Sequence, residues 1–464
     1  MSYQKTHNLI QRAQDEPTVG DYTELNSVKA ILESVRQRSH QLNRPLIATI
    51  TLPAPSDPPQ GDFHWHTDKK VIIGKGKLLE IRAEAGRDRF HKLRQKVSYW
   101  LNECYGNPIL MGGFSFYDQP DPPTPPALLT LPEWTWCYKQ STPHLQRNLI
   151  ITPQTDLGEI CQQLVPSLSF PLNKNEHRSY QILSLNEKIG EFSWAIAVQK
   201  ARNLMPPLEK LVLARVLQVT TQEEIDPFGV LQYLLCHYPE CTTFLLQLAS
   251  AEYLVGASPE LFLRSRFYGD HSLLETCALA GSMPRGKTPA SDRALAQQLL
   301  TSSKNLREHQ IVVHSILEAL PADPPPPPQI LALSNVQHLY TPISARWQTE
   351  DAFEFLEIMG RLHPTAAMAG APRAQAIELM RQLETGDRRW YAAPIGWLDS
   401  QGNSEFVVGI RSGYIRGQQA TLFAGSGILK DSDLEQELAE TNAKFMPLLN
   451  ALGINSLKLL NLNY

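Results

Sequence analysis

The chain has 464 residues, of which 42% are hydrophobic and 19% charged, and its formal net charge is −4. This composition is that of a globular protein long enough for one large or two medium-sized domains with a substantial core. The near-neutral balance gives no basic field for nucleic acid and no polybasic membrane patch, so a polymeric substrate is not expected.

The cysteine content and the distribution of apolar residues indicate the cellular compartment of the protein. The six cysteines are scattered, without a C-x-x-C pair or the density of a disulfide scaffold, which fits a reducing compartment. The N-terminal MSYQKTHNLIQRAQDE lacks the continuous apolar segment of a signal peptide. No window approaches the roughly 18 uncharged apolar residues of a membrane span. We therefore expect a soluble, cytoplasmic protein.

The N-terminal part mixes helix and strand patterns. They predict a helix over residues 25–42, strands at PLIATITL and ILMGGFSFYD, and a helix around DRFHKLRQKVSYWLNECY. HWHT, residues 64–67, has no cluster of partner ligands nearby and is predicted to be a loop rather than a metal site. Proline-rich stretches at residues 53–62, 118–127 and 321–329 indicate loops at the rim of a compact body.

From about residue 184 the predicted elements follow one another closely. SWAIAVQKARNLM predicts a helix, KLVLARVLQVTT a strand and DPFGVLQYLLCHYP a helix. TTFLLQLASAEYLVGASPELFLRSR predicts paired strands, SLLETCALAGSMPRG another strand, and residues 291–320 one long helix. A hairpin, EFVVGIRSGYIRGQQATLFAGSGI, precedes an acidic helix at residues 430–445. Antiparallel strands with helices packed over them indicate a mixed α/β body rather than a βαβ repeat.

The acidic helix, KDSDLEQELAETNAKF, carries Glu435, Glu437 and Glu440. Ser432 followed three residues later by Glu435 is the pattern of a capping box, and acids in the first turn suit the helix dipole. Glu440 lies too deep for that explanation. One alternative is an exposed salt bridge to Lys444, one turn further on.

A second candidate carboxylate, Glu308, lies on the predicted long helix. It shares its helical face with apolar residues, so its carboxylate is expected to point toward packed structure, where it needs a partner. Mg²⁺ takes oxygen ligands and typically uses one or two carboxylates, so Glu308 and Glu440 are a candidate metal pair. The alternative for Glu308 is an ion pair with Arg307 or Lys444.

Cationic and glycine-rich positions suggest where an anion could bind. Arg411 is predicted on one face of a strand between Gly409 and Gly413, which would leave room for a carboxylate to take a bidentate contact. A hairpin with bulges at its glycines is an equal alternative. The following strand runs into Gly425 and Gly427, where backbone N–H groups could form an anion nest or only a turn.

Two further side chains are candidates for proton transfer. Lys210 begins an apolar strand, where a lysine usually reaches out to solvent. If it faced a closed cavity instead, burial would lower its pKa and make it a usable base. Glu260 follows Ser258 and Pro259 at a strand entrance, and its alternative is a surface acid at a turn.

Ten segments in register resemble the chorismate-utilising enzymes: KLVLAR, GASPELFL, ALAGSMPRG, SKNLREHQIVV, VQHLYTPI, LHPTAAMAG, RRWYAAPIGWLD, FVVGIRS, FAGSGI and ELAETNAKF. Within this family the chain looks like an isochorismate synthase, and the resemblance covers about residues 187–455. It implies an α/β fold of the α+β type, with two stacked, mostly antiparallel sheets flanked by helices. Residues 1–186 would be an N-terminal portion of the same body and 187–464 the catalytic region.

The resemblance also assigns roles to residues. Glu308 and Glu440 correspond to direct Mg²⁺ ligands, with Glu437 contributing through water, while Lys210 and Glu260 correspond to the general base and general acid. Glu435 then remains the capping residue. The expected substrate-binding residues are Gly281, His338, Thr365, Tyr391, Arg411, Gly425, Gly427 and Lys444.

The implied reaction is the Mg²⁺-dependent isomerisation of the small molecule chorismate to isochorismate by a monomer, with no nucleic-acid or membrane partner. Ala280 stands where the aminodeoxychorismate synthases have a nucleophilic lysine, which disfavours a nitrogen-adding enzyme. A salicylate synthase, which also eliminates pyruvate, is the closest alternative, and an inactive chorismate-binding protein is the most distant. Menaquinone, phylloquinone, siderophore and salicylate pathways all remain open.

Two positions depart from the family pattern. Asn305 stands one turn before Glu308, where the family often has an acid, so an outer-sphere contact to the metal is expected to be weaker or absent. Ala393 replaces a common glycine and could narrow the pocket.

Overall fold

The computed structural model describes residues 22–54, 58–139, 142–163, 179–188, 194–384 and 386–454. The helices in these ranges are α1 (Tyr22–Leu42), α2 (Arg89–Leu101), α3 (Leu157–Gln163), α4 (Trp194–Asn203), α5 (Pro227–His237), α6 (Pro289–Thr301), α7 (Ser303–Ala319), α8 (Phe355–Leu362), α9 (Arg373–Leu383) and α10 (Leu434–Ala451). None of these helices is both long and apolar enough to cross a membrane.

The strands in the same ranges are β1 (Leu46–Pro53), β2 (Phe63–His66), β3 (Lys70–Lys75), β4 (Leu79–Ala83), β5 (Ile109–Phe114), β6 (Ala127–Leu131), β7 (Trp134–Lys139), β8 (Thr142–Ile151), β9 (Ile182–Glu187), β10 (Lys210–Thr221), β11 (Thr242–Ala249), β12 (Glu252–Ser258), β13 (Leu261–Phe267), β14 (His271–Pro284), β15 (Gln329–Ala332), β16 (Val336–Gln348), β17 (Gly370–Ala371), β18 (Pro394–Asp399), β19 (Ser404–Val408), β20 (Ser412–Arg416) and β21 (Gln419–Ile428).

The strands of the described ranges form two sheets with antiparallel neighbours. The first has twelve strands in the order β1-β8-β7-β3-β2-β11-β12-β20-β21-β10-β17, with β9 also paired to β10. The second has nine, in the order β15-β16-β14-β13-β19-β18-β5-β6-β4. Phe244 of the first sheet and Phe114 and Phe406 of the second belong to one buried apolar cluster, so the sheets pack against each other. The predicted fold class is therefore confirmed.

Strand β10 follows the bounds that its sequence predicts, because KLVLARVLQVTT is an uninterrupted run rich in β-branched and aliphatic residues. It pairs with β21 over most of its length, and Val212 lies opposite Gly427 while Ala214 lies opposite Gly425. Strand β21 in turn carries α10 on its face, with many contacts between the two elements. This arrangement places Lys210, the 425–427 backbone and the acidic helix in one region.

Three predicted elements were wrong. HWHT is not a loop, since its first three residues end strand β2, where His64 is buried. The single long helix is two helices, because Ser302 is extended (φ −70°, ψ 114°) and its hydroxyl accepts the Asn305 amide to cap α7. The predicted 405–428 hairpin is also divided, since β19 belongs to the second sheet and only β20 and β21 pair with each other.

The start of the acidic helix α10 also differs from its prediction. Asp433, not Ser432, is the N-cap, and its carboxylate accepts the Gln436 amide at 3.0 Å. The Ser432 hydroxyl accepts the Leu429 amide instead, and Glu435 is exposed. The Ser432–Glu435 capping box is therefore wrong, although a carboxylate still caps the helix.

Candidate active site

A cavity of about 750 Å³, counting its opening to solvent, is lined by residues from both sheets and from helices α7 and α10. Eleven of the thirteen site residues predicted from sequence line it: Lys210, Glu260, Gly281, Glu308, His338, Tyr391, Arg411, Gly425, Gly427, Glu440 and Lys444. Thr365 and Glu437 do not line it.

Thr365 and Glu437 are buried beside the cavity and hold other residues in place. The Thr365 hydroxyl accepts the Ala367 amide at 3.3 Å, and its carbonyl accepts the Met368 amide at 3.0 Å, so it shapes a turn that reaches the cavity wall. Glu437 forms an ion pair with Lys304 at 2.8 Å and accepts the Ser426 hydroxyl.

Lys210 and Glu308 form a buried ion pair on the cavity wall. The Lys210 Nζ lies 2.9 Å from Glu308 Oε1, and the lysine side chain is 2% exposed. Lys210 is therefore not a strand-end lysine in solvent, and Glu308 pairs with neither Arg307 nor Lys444. Gly427 makes room for this pair, because a Cβ at that position would lie 2.4 Å from Glu308 Oε1 and 2.8 Å from Lys210 Cε.

Glu440 and Lys444 occupy another part of the wall, one turn apart on α10. Lys444 Nζ donates to Glu440 Oε1 at 2.5 Å and to the Gly425 carbonyl at 2.8 Å. Burial tends to raise the pKa of Glu440, but the Lys444 charge and a hydrogen bond from Ser282 lower it to about 2. Glu440 thus makes the i,i+4 ion pair with Lys444 that was its alternative, but the pair is partly buried rather than exposed, and Glu440 also faces the cavity.

Glu260 lies where the chain passes from β12 in the first sheet to β13 in the second. Burial raises the pKa of Glu260 to about 7, even though the positive charges of Lys210, Lys444 and Arg411 act to lower it. Near neutral pH this carboxyl group is partly protonated, so it can donate a proton into the cavity. It is not the surface acid that its turn position allowed.

Arg411 is buried in the link between β19 and β20, with a φ of 49°. It is not in a strand, so its predicted alternation with Gly409 and Gly413 was wrong. Its Nη2 donates to His338 Nε2 at 3.3 Å. Burial and the Arg411 charge lower the pKa of His338 to about 3, so this imidazole is neutral at physiological pH. Of this hydrogen-bonded pair, Arg411 therefore carries the positive charge and His338 does not.

A bulge and an aromatic stack shape the rest of the cavity. Strand β14 shifts register against β16 between Leu279 and Ser282, where Gly281 has a φ of 79°. Tyr391 stacks on Phe423 with ring centroids 4.9 Å apart, and burial raises the pKa of its phenol to about 12. Its hydroxyl therefore stays protonated.

Sequence reasoning missed Arg388 and Ser282, which also line the cavity. Ser282 hydrogen-bonds to Glu440. Arg388 lies three residues before Tyr391, inside the segment RRWYAAPIGWLD that carried part of the resemblance. A buried arginine has to find acceptors, but the sequence did not indicate that this one would be buried.

Glu308 and Glu440 are the carboxylates of this cavity that could hold a magnesium ion. Glu308 and Glu440 present oxygen ligands to one cavity, which is the number that Mg²⁺ commonly takes from a protein before substrate and water complete its shell. The described residues form no group of three or more acidic, histidine or cysteine ligands. Glu437 is bound to Lys304 and Ser426, and its contribution through water stays a prediction.

Comparison with known proteins identifies relatives over most of the chain. A family model described as chorismate binding enzyme matches residues 30–453. The chain is 33% identical over 428 residues to isochorismate synthase MenF of Bacillus subtilis (strain 168), a match that spans 84% of this chain and 88% of that protein. It is 30% identical over 354 residues to isochorismate synthase EntC of Escherichia coli (strain K12), spanning 75% and 82%.

A solved structure has the same fold. The structure of MenF, the menaquinone-specific isochorismate synthase from Escherichia coli, matches with a TM-score of 0.72 over 91% of this chain and 99% of that chain, at 24% identity. At this identity the likeness supports the architecture of two packed sheets.

Proposed function

The chain belongs to the chorismate-binding enzyme family, and we propose that it is an isochorismate synthase, which converts chorismate to isochorismate. One observation carries the proposal: Lys210, Glu260, Glu308 and Glu440 all line the same cavity. A base, an acid and two metal-binding carboxylates are the groups that addition of water and loss of a hydroxyl require. The named relatives that match most of the chain support the same assignment.

Lys210 is the general base in this proposal. Its Nζ is held on the cavity wall by Glu308 at 2.9 Å, and the ammonium of this ion pair must first release one proton to solvent so that the neutral amine can act as the base. It takes a proton from water, the water oxygen forms a bond to C2 of chorismate, and the ring double bonds shift as the C4–O bond breaks.

Glu260 is the general acid. Its pKa of about 7 leaves part of the population protonated at neutral pH. The protonated carboxyl group donates to the departing C4 hydroxyl, so one water molecule enters and one leaves. General acid and base contributions of about 10²–10⁴-fold each are typical of such groups.

The substrate carboxylates are held by cationic and backbone groups. Arg411 and Lys444 supply positive charge, and Gly425 and Gly427 bring the β21 backbone to the cavity. Glu308 and Glu440 would hold Mg²⁺, which supplies charge that neutralises and orients the ring carboxylate.

The test incubates purified protein with chorismate and Mg²⁺ and identifies the product by chromatography and mass spectrometry. We expect isochorismate, loss of turnover with EDTA, and its return when Mg²⁺ is restored. Lys210→Ala and Glu260→Gln should abolish turnover while the proteins still bind chorismate. Glu440→Gln should be inactive, whereas Glu435→Gln, at an exposed acid on the same helix, should behave as wild type.

The same incubation separates the alternatives. Unchanged chorismate would overturn the proposed function, and salicylate fluorescence would assign a salicylate synthase instead. A Glu260→Gln rate near wild type would remove Glu260 from the mechanism without affecting the family assignment.

A further inference from the structure

The outer edge of β10 has a gap in its strand pairing beside the cavity. Residues Lys210 and Leu211 pair with β17, and β9 pairs with β10 from Leu217 onward. Between these two partners the backbone groups of Val212 and Ala214 point outward along the same edge. Buried backbone donors and acceptors must find partners, so this gap has to be filled by other groups.

The Ala369 carbonyl accepts the Val212 amide at 2.8 Å, and two side chains bind further backbone groups of the gap. Arg388 Nη2 donates to the Val212 carbonyl at 2.8 Å, and Glu384 Oε1 accepts the Ala214 amide at 2.7 Å. Arg388 also binds Glu384 directly, with Nε 2.9 Å from Oε2 and a second contact from Nη2 to Oε1. The side chains are 2% and 5% exposed. The ion pair thus replaces a short stretch of β-strand.

Arg388 reaches two further walls of the cavity. Its Nη1 donates to the Met368 carbonyl at 2.8 Å, and its own carbonyl accepts the Tyr391 amide at 2.9 Å. Met368 and Tyr391 line the cavity, as does Val212. The guanidinium therefore joins β10 to the 365–369 turn, and the Arg388 backbone adds a hydrogen bond within the segment that carries Tyr391.

We propose that Arg388, locked by Glu384, is a positioning residue that sets where β10 presents Lys210. Lys210 lies two residues before Val212, and Gly427 lies opposite Val212 in the register with β21. Both the proposed base and the glycine beneath it are thus fixed relative to the groups that Arg388 binds. The inference rests on the proposed function.

The decisive variant is Arg388→Lys, which keeps the charge but loses the planar fork that binds several acceptors at once. We expect kcat to fall by about 10–100-fold, as for an active site displaced by about 1 Å, with KM within threefold of wild type. Glu384→Gln should also lower kcat, but by a smaller factor than Arg388→Lys. The matched control is Arg389→Lys, at the next residue in the sequence. Arg389 Nη2 donates to Glu252 Oε2 at 2.8 Å, and Arg389 does not line the cavity.

A charge-free variant separates positioning from simple charge neutralisation. The double variant Arg388→Met with Glu384→Met removes both charges and keeps apolar bulk. If the hydrogen bonds to β10 position Lys210, this double variant should fold but keep a kcat well below that of the wild type. Recovery of the wild-type kcat would mean that Arg388 only offsets the Glu384 charge, which would overturn the inference.

Amide hydrogen exchange gives a readout that needs no turnover. Peptides covering residues 210–216 should exchange faster in Arg388→Lys and Glu384→Gln than in wild type and Arg389→Lys. The inference would be overturned if amide exchange were unchanged in these variants. It would also be overturned if a folded Arg388→Lys kept the wild-type kcat, or if only its KM changed. An inactive wild type with the expected exchange pattern would overturn the proposed function only.

Discussion

Gly427 lies under the Lys210–Glu308 ion pair, and adding one methyl group there tests whether the position of that pair matters. In Gly427→Ala the new Cβ would lie 2.4 Å from Glu308 Oε1. Ordinary contact begins at 3.4 Å, so the carboxylate oxygen has to retreat by about 1 Å, the difference of the two values. Lys210 Cε, at 2.8 Å, has to move as well.

We expect kcat of Gly427→Ala to fall by about 100-fold, because a misplacement of about 1 Å at a catalytic group costs that order of rate. The matched control is Gly229→Ala in α5, outside the cavity, where the nearest atoms to a Cβ are at 3.4, 3.6 and 3.7 Å. That variant should keep kcat within about threefold of wild type, since ordinary van der Waals contact costs little.

The assay is chorismate consumption at saturating substrate and Mg²⁺, with circular dichroism and thermal unfolding to confirm that both proteins are folded. Alanine is favoured over glycine in strands and in helices, so any stability gain is shared by the two variants. A folded Gly427→Ala with a kcat near wild type would refute the reasoning, and so would equal losses in the two variants.

Two further predictions concern pH and stability. The pKa of Glu260 is raised to about 7, so its protonated fraction should fall about tenfold per pH unit above that value, measured by the infrared carboxyl band that Glu260→Gln removes. A band already lost by about pH 5.5 would contradict this. Arg215 and Glu187 form an ion pair whose side chains are 2% and 9% exposed, so Arg215→Met should lower the free energy of unfolding by about 3–5 kcal/mol in urea titrations. Arg38→Met breaks an ion pair whose side chains are 45% and 38% exposed, so it should lower the free energy of unfolding by less than about 1 kcal/mol. Equal losses of stability in the two variants would contradict the argument that burial makes the first ion pair more important.

Local sequence patterns predicted an element correctly where its own residues determine its structure. Strand β10 has the predicted bounds because its apolar run begins after a proline-rich turn and ends in polar residues. Ser302 shows the limit of such patterns. Helical periodicity continues through its neighbours, but its hydroxyl caps the following helix and the backbone opens there. Periodicity does not reveal that a side chain will compete with the helix for a backbone amide.

Convergence of distant residues came from the family resemblance, since no local pattern places Glu308 beside Lys210. The resemblance identified groups that face the cavity but not those that hold the cavity walls. Arg388 and Glu384 were not predicted because, besides each other, they bind backbone atoms that lie far away in the sequence. Whether a strand edge lacks a partner depends on the whole sheet.

The cavity exists because two strand pairs change sheets side by side. Strand β12 pairs with β20 in the first sheet, while their chain neighbours β13 and β19 pair in the second. Glu260 lies in one link and Arg411 in the other, and the two links bond to the strands beside them: the Ala257 amide donates to the Arg411 carbonyl at 3.2 Å and the Val408 amide to the Glu260 carbonyl at 3.0 Å.

Both links leave regular strand geometry, so their side chains are free of the alternation that directs neighbours into the core or toward solvent. The polar groups can therefore point into the space that opens as the strands separate. This explains why strand alternation failed for Arg411, whose φ of 49° belongs to such a link. A charged residue predicted at the middle of a strand, next to glycines, is accordingly better interpreted as a candidate sheet crossing than as one face of a hairpin.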